Sequence, residues 1–202
     1  MKRLLTGLVC AALLAGCAAD TSPDSPPEAV AAAAFQAPGP KKITVFTMIN
    51  NRTGKGGHTA LLVNGSQQVI FDPAGSFRDE RVVERGDVLY GMTPSWIQAY
   101  KSAHARETFH VVTQEMIVTP EQAETALRLV QSNGAVPGAY CANATTSLLK
   151  KVPGFGDIET TFYPAQFMEQ IAKRPGVTTT RYFEDDEGHV TDAVKAGIVV
   201  AD

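Results

Sequence analysis

Residues 56–75 read Gly56-Gly57-His58-Thr59-Ala60-Leu61-Leu62-Val63-Asn64-Gly65-Ser66-Gln67-Gln68-Val69-Ile70-Phe71-Asp72-Pro73-Ala74-Gly75. His58–Val63 and Gln68–Phe71 are short apolar and β-branched runs, which favour extended backbone. Asn64-Gly65 lies between them, and that dipeptide is a strong hairpin signal because both residues tolerate positive φ. Asp72-Pro73-Ala74-Gly75 closes the second run with turn chemistry. The stretch is expected to fold as an antiparallel strand pair, with His58 at the start of its first strand.

The pattern extends in both directions. Upstream, Lys42–Ile49 reads as a strand and Asn50–Gly57 as a polar, Gly-rich loop. Downstream, residues 76–87 are charged and poorly patterned, and Asp87–Tyr90 is a short strand candidate. Thr93-Pro94-Ser95 opens a helix expected to run through Ala103, and Thr108–Val118 is a long strand candidate. Thr119-Pro120-Glu121-Gln122 is a helix start with Thr as cap, Pro first and Gln third. Ala123, Ala126, Leu127 and Val130 follow at helical spacing, and Asn133-Gly134 ends that run. After the loop Ala135–Tyr140, a helix is expected from Cys141, with Leu148, Leu149 and Val152 inside. Pro164–Lys173 reads as a helix and Val177–Phe183 as a strand. Strands cluster early and helices late, which argues an α+β fold with an antiparallel sheet packed against helices.

The first seventeen residues are of another kind. Lys2 and Arg3 precede the apolar run Leu4–Leu14, which is far shorter than the ~20 residues a membrane-spanning helix needs. Leu14-Ala15-Gly16-Cys17 ends it with small residues, the order of a secretory signal. The segment resembles a bacterial lipoprotein signal. That resemblance implies cleavage after residue 16, a lipid on Cys17 and a periplasm-facing place in the cell envelope. Ala18, with no Asp beside the cysteine, points to the outer membrane. Residues 17–40, with Pro23, Pro26, Pro27, Pro38 and Pro40, read as the anchor and a Pro/Ala-rich linker. The folded domain is then expected over residues 41–202. The formal net charge is −3 with no basic run, so nucleic acid is not an expected partner.

Three cysteines are present. Cys10 leaves with the signal and Cys17 takes the lipid, so Cys141 remains alone in an oxidising compartment. A lone thiol is either a small buried hydrophobe or a nucleophile. Cys141 sits where loop becomes helix, and the free N–H groups of a helix start favour a thiolate. His58, preceded by glycines expected to turn the chain sharply and leave room beside the ring, could take the thiol proton. His104 is expected to be exposed, His110 structural, and His189 falls in a polar tail. No pair of these residues has metal-ligand spacing, so neither a metal nor another cofactor is expected. Gly54-Lys55-Gly56-Gly57 lacks the spacing of a phosphate loop, and Glu184-Asp185-Asp186-Glu187 lacks the alternation of a calcium loop. Trp96, Tyr100 and Phe109 line either a groove or the core.

Gly57-His58-Thr59-Ala60-Leu61-Leu62 and Ile70-Phe71-Asp72-Pro73-Ala74-Gly75 resemble the histidine segment of circularly permuted papain-like proteins. These are the NlpC-type hydrolases that include lecithin retinol acyltransferase. Tyr140-Cys141-Ala142-Asn143-Ala144-Thr145-Thr146-Ser147-Leu148-Leu149 is similar to the family's cysteine helix, which follows the histidine strand in that arrangement. The resemblance covers roughly residues 43–152. It implies Cys141 as nucleophile, His58 as base and a polar residue on the next strand that orients the imidazole. Asp72 is the candidate. A three-residue hairpin loop over Asn64–Ser66 would set it opposite His58, while plain turn chemistry is its other reading. Many family members carry Asn before the cysteine, where this chain has Tyr140. Asn143 is a nearby polar substitute, as a helix-start contact or near the oxyanion, or else simply solvated. The implied function is a membrane-anchored hydrolase or acyltransferase acting on amide or ester bonds of cell-wall peptides or lipids. A non-catalytic binding or structural lipoprotein of the same fold is the alternative.

Overall fold

The structure is a computed structural model and describes residues 24–75 and 77–185. The signal segment, Cys10, the lipidation candidate Cys17, His189 and the end of the acidic run, Asp186-Glu187, lie outside the described residues.

Seven strands form one sheet: β1 (Lys42–Asn50), β2 (Gly56–Asn64), β3 (Gln68–Phe71), β4 (Glu84–Arg85), β5 (Val88–Leu89), β6 (Phe109–Ile117) and β7 (Thr178–Tyr182). All neighbours pair antiparallel, in the order β4-β5-β3-β2-β1-β6-β7. The helices are α1 (Pro27–Ala32), α2 (Pro94–His104), α3 (Pro120–Gln131), α4 (Cys141–Leu149) and α5 (Pro164–Ala172). The fold is α+β, as the order of strand and helix patterns implies.

Strand alternation sorts the core into two layers. Ile43, Val45, Leu61, Val63, Val69 and Phe71 face one way and pack on α3, α4 and α5 through Leu127, Val130, Leu149, Phe167 and Ile171. Phe46, Met48, Ala60, Leu62 and Ile70 face the other way, against Tyr100 and Ala103 of α2. Each fully buried large side chain contributes about 1.5–3 kcal/mol of apolar transfer. Cutting one back in mid-sheet, as in Leu61→Ala, is expected to cost about 2–5 kcal/mol. The helix starts hold as their sequences imply. Thr93 accepts from the Trp96 N–H at α2, and Thr119 with Gln122 forms a complete capping box at α3.

Two expectations change. Residues 24–40 are laid against the body from Asp24 onward. The Ser25 N–H donates to the Glu84 carbonyl at 2.8 Å, the Gln68 N–H donates to the Phe35 carbonyl at 2.6 Å, and Val30 and Ala33 pack on the core. Pro27 sits at the first helical turn, where proline starts a helix, and the alanine run gains from the core the support it lacks alone. The second concerns Gly56 and Gly57, which lie in extended β2; the chain turns earlier, at Gly54 with φ +70°. Gly57 is needed for contact: a Cβ there would stand 2.7 Å from the Phe109 ring.

Candidate active site

The hairpin delivers two polar side chains to one face. Its loop is Gly65–Gln67, one residue later than the sequence pattern implied, so Leu61 pairs with Phe71 and Asp72 falls level with Ala60. The pairing therefore shifts by two positions from the expected one, and a shift of two keeps the face. Asp72 becomes a diagonal neighbour of His58, and its Oδ1 lies 2.7 Å from His58 Nε2. Tyr100 donates its hydroxyl to the same oxygen at 2.6 Å. Asp72 is only 2% exposed. Gly75 closes the turn against it, and a Cβ on Gly75 would fall 1.8 Å from Asp72 Oδ2.

With Nε2 committed to Asp72, Nδ1 is the nitrogen left for Cys141, whose sulfur is near enough to raise the His58 pKa. Cys141 is the first residue of α4 and 6% exposed. No side chain caps this helix, so its first N–H groups are available to an anion. β3 stops at Phe71, leaving Thr59 without a strand partner on that side. The backbone N–H groups of Thr59 and Ala142 are near enough to the Cys141 sulfur to favour its thiolate. Burial alone would raise the thiol pKa. The His58 hydrogen bond and charge, with those two N–H donors, outweigh it and hold the thiol below its ordinary value. Burial alone would lower His58. The Asp72 carboxylate and the Cys141 sulfur outweigh that and lift it to about 10. Together these shifts favour a thiolate–imidazolium pair. Asp72 is held below the usual carboxylate range: burial would raise it, but His58, His104 and the Tyr100 hydroxyl win.

Tyr140 and Asn143 flank the pair differently. Tyr140 is 46% exposed, with its ring edge-on to Phe162 at 5.2 Å. Asn143 is half-buried in the first turn of α4, and its carbonyl accepts from Thr146 Oγ1. Of the four histidines, His104 departs from its expected exposure. It is buried and joins the site from α2, its ring 6.0 Å from that of His58. Its Nδ1–H donates to the Tyr100 carbonyl at 2.8 Å, and burial pushes its pKa down to about 4, so it is neutral. Tyr100 and His104 stand one helical turn apart on the face that carries Ala103, a spacing that could have placed both inward. His58, Asp72 and His104 also bring one ligand-type atom each within 4.8 Å of one another, a set that sequence spacing does not reveal and that could hold a metal ion. Asp72 Oδ1 is already shared between His58 and Tyr100.

Asp87 has no sequence signal of function, yet it ties the site together. Its carbonyl accepts from the Asp72 N–H at 2.8 Å. Its Oδ2 accepts from the N–H of Ala74 at 2.9 Å and of Val136 at 2.8 Å. One buried carboxylate thus links the turn that carries Asp72 to the loop that leads into Cys141.

No protein-family model matches the chain, and comparisons with curated proteins and with solved structures returned no significant similarity. The functional reading therefore rests on the chemistry of these residues.

Proposed function

We propose that the chain is a cysteine hydrolase or acyltransferase of permuted papain-like fold, acting on amide or ester bonds and held in the bacterial envelope by a lipid on Cys17. The observation that carries the reading is His58, hydrogen-bonded on one side to buried Asp72 and electrostatically coupled on the other to Cys141 at a helix start. In this reading the Cys141 thiolate attacks the substrate carbonyl, and the open N–H groups of α4 receive the oxygen that turns negative. His58, as imidazolium, protonates the leaving group and then activates the water or acceptor that resolves the acyl-enzyme. Asp72 fixes the ring and stabilises its charge. Strand order supports the family reading, since the histidine strand precedes the cysteine helix. Among the described residues no helix is long and apolar enough to cross a membrane. The anchor would bring both cell-wall peptides and lipids within reach.

The test is alkylation of Cys141 across pH. The expected result is a thiolate titrating below the ~8.5 of a free cysteine, with that shift lost in His58→Ala. An ordinary thiol, indifferent to His58, would leave a binding protein of the same fold.

A further inference from the structure

A cavity of about 290 Å³ opens beside the site, and His58 and His104 form part of its wall. Met48, Gly57, Phe109 and Ala74 line most of the rest, and Cys141 is not among the lining residues. The space is therefore on the imidazole side of the Cys–His pair. In acyl transfer the atom that leaves the carbonyl must take its proton from His58, so the group attached to that atom occupies the His58 side. We infer that this cavity receives the leaving group, and that the group is an uncharged, largely apolar alcohol or amine. The inference rests on the acyl-transfer reading and narrows its substrate class.

Three observations argue for it. Among the described residues, the lining holds no Lys, Arg, Asp or Glu. Its two histidines offer no free charge: burial keeps His104 neutral, and the His58 cation is balanced at 2.7 Å by Asp72. A carboxylate or ammonium placed here would give up hydration with no oppositely charged partner among the described lining residues. Volume sets the size. At ~30 Å³ for each water-sized unit, the cavity holds on the order of ten non-hydrogen atoms. A benzyl-sized group fits, while a cell-wall peptide carrying free carboxylates does not match the lining.

The step balances as follows. The Cys141 thiolate forms a C–S bond to the carbonyl carbon, and the bond from that carbon to the leaving oxygen or nitrogen breaks. The electron pair of the broken bond stays on the leaving atom, which takes the His58 proton. The products are a thioester, a neutral alcohol or amine in the cavity, and neutral His58. Water or a second acceptor then enters the vacated space, gives its proton to His58 and bonds to the carbonyl carbon. The C–S bond breaks with its electron pair left on sulfur, the acyl group departs on the water or acceptor oxygen or nitrogen, and the thiolate–imidazolium pair is restored.

Fragment binding to the intact protein tests the inference without requiring turnover. Benzyl alcohol and phenylacetate are titrated separately while the imidazole proton resonances of His58 and His104 are followed. The expected result is that benzyl alcohol shifts both histidines and binds at least about tenfold more tightly than phenylacetate. Phe109→Arg puts a cation in the wall and is expected to narrow or reverse that preference. Equal or tighter binding of phenylacetate to the wild type overturns the inference, as does benzyl alcohol binding that leaves His104 unshifted. If Phe109→Arg does not fold, the wild-type pair decides alone. Failure of the Cys141 alkylation profile would remove the acyl-transfer reading and yet leave the measured fragment preference intact, so the two failures are distinguishable.

Discussion

Oδ1 of Asp72 receives two hydrogen bonds, from the His58 ring and the Tyr100 hydroxyl, at a position screened from water. Asp72→Asn removes the charge that keeps His58 protonated. Turnover of an activated ester is expected to fall by roughly 10³-fold or more, by analogy with loss of the orienting carboxylate in a triad. The signs of the two shifts define a pH window. Cys141 is lowered, so its thiolate appears below the ordinary thiol range, and His58 keeps its proton up to about 10. The ester-cleavage rate is therefore expected to rise through the lowered thiol pKa, hold level, and fall through about 10. In stability terms the raised His58 contributes fully below about 6.5 and loses that contribution as pH rises through about 10. Gly75→Ala tests the same carboxylate by shape. The added methyl overlaps Asp72 Oδ2, and a stability loss of at least about 1–3 kcal/mol by urea unfolding should accompany the loss of activity.

At the scale of elements, the site depends on a strand that stops early and a helix that starts uncapped. The strand stop and the place where the helix starts were legible in sequence; the missing cap was not. The hairpin residues, the Asp72-Pro73 stop and the start of α4 at Cys141 are local signals, and the structure follows them. The exact register was not, because the loop Gly65–Gln67 differs by one residue from the loop that turn chemistry favoured. Asp87 was illegible for another reason. Its partners are distant along the chain, and a contact such as Asp87 to Val136 leaves no local pattern. Asp87→Ala separates this tie from ordinary packing. One buried and one half-buried N–H group would lose their acceptor, costing about 2–4 kcal/mol in unfolding free energy. The Cys141 titration should move up toward the free-thiol value. A variant that loses stability but keeps the lowered thiol titration would show that Asp87 holds the fold and not the pair.

For the whole molecule, Glu84 sets a pH dependence outside the Cys141–His58 pair itself. Burial raises its pKa, Arg78 at 3.1 Å opposes, and Asp72, Asp87 and Asp24 add to the rise, leaving it at about 7. An acid whose pKa is raised by folding is stabilising when protonated. Its contribution is full below about 4.5 and is lost as pH climbs through about 7. Glu84→Gln is expected to be more stable than wild type at pH 8 by on the order of 1 kcal/mol, less whatever the Arg78 pair supplies, with the gap closing near pH 4. Thermal unfolding across that range checks it.

The docked segment that begins at Asp24 also fixes a leash length. With the lipid proposed on Cys17, only residues 18–23 separate the acylated residue from the first one pinned to the body, by the bond from Gly86 N–H to Asp24 Oδ1. Fully drawn out, that interval reaches about 25 Å. Such an enzyme would not patrol the periplasm. It would graze a thin shell over the bilayer, meeting its substrates by lateral diffusion, and lengthening the leash would widen its pasture without touching a single catalytic atom.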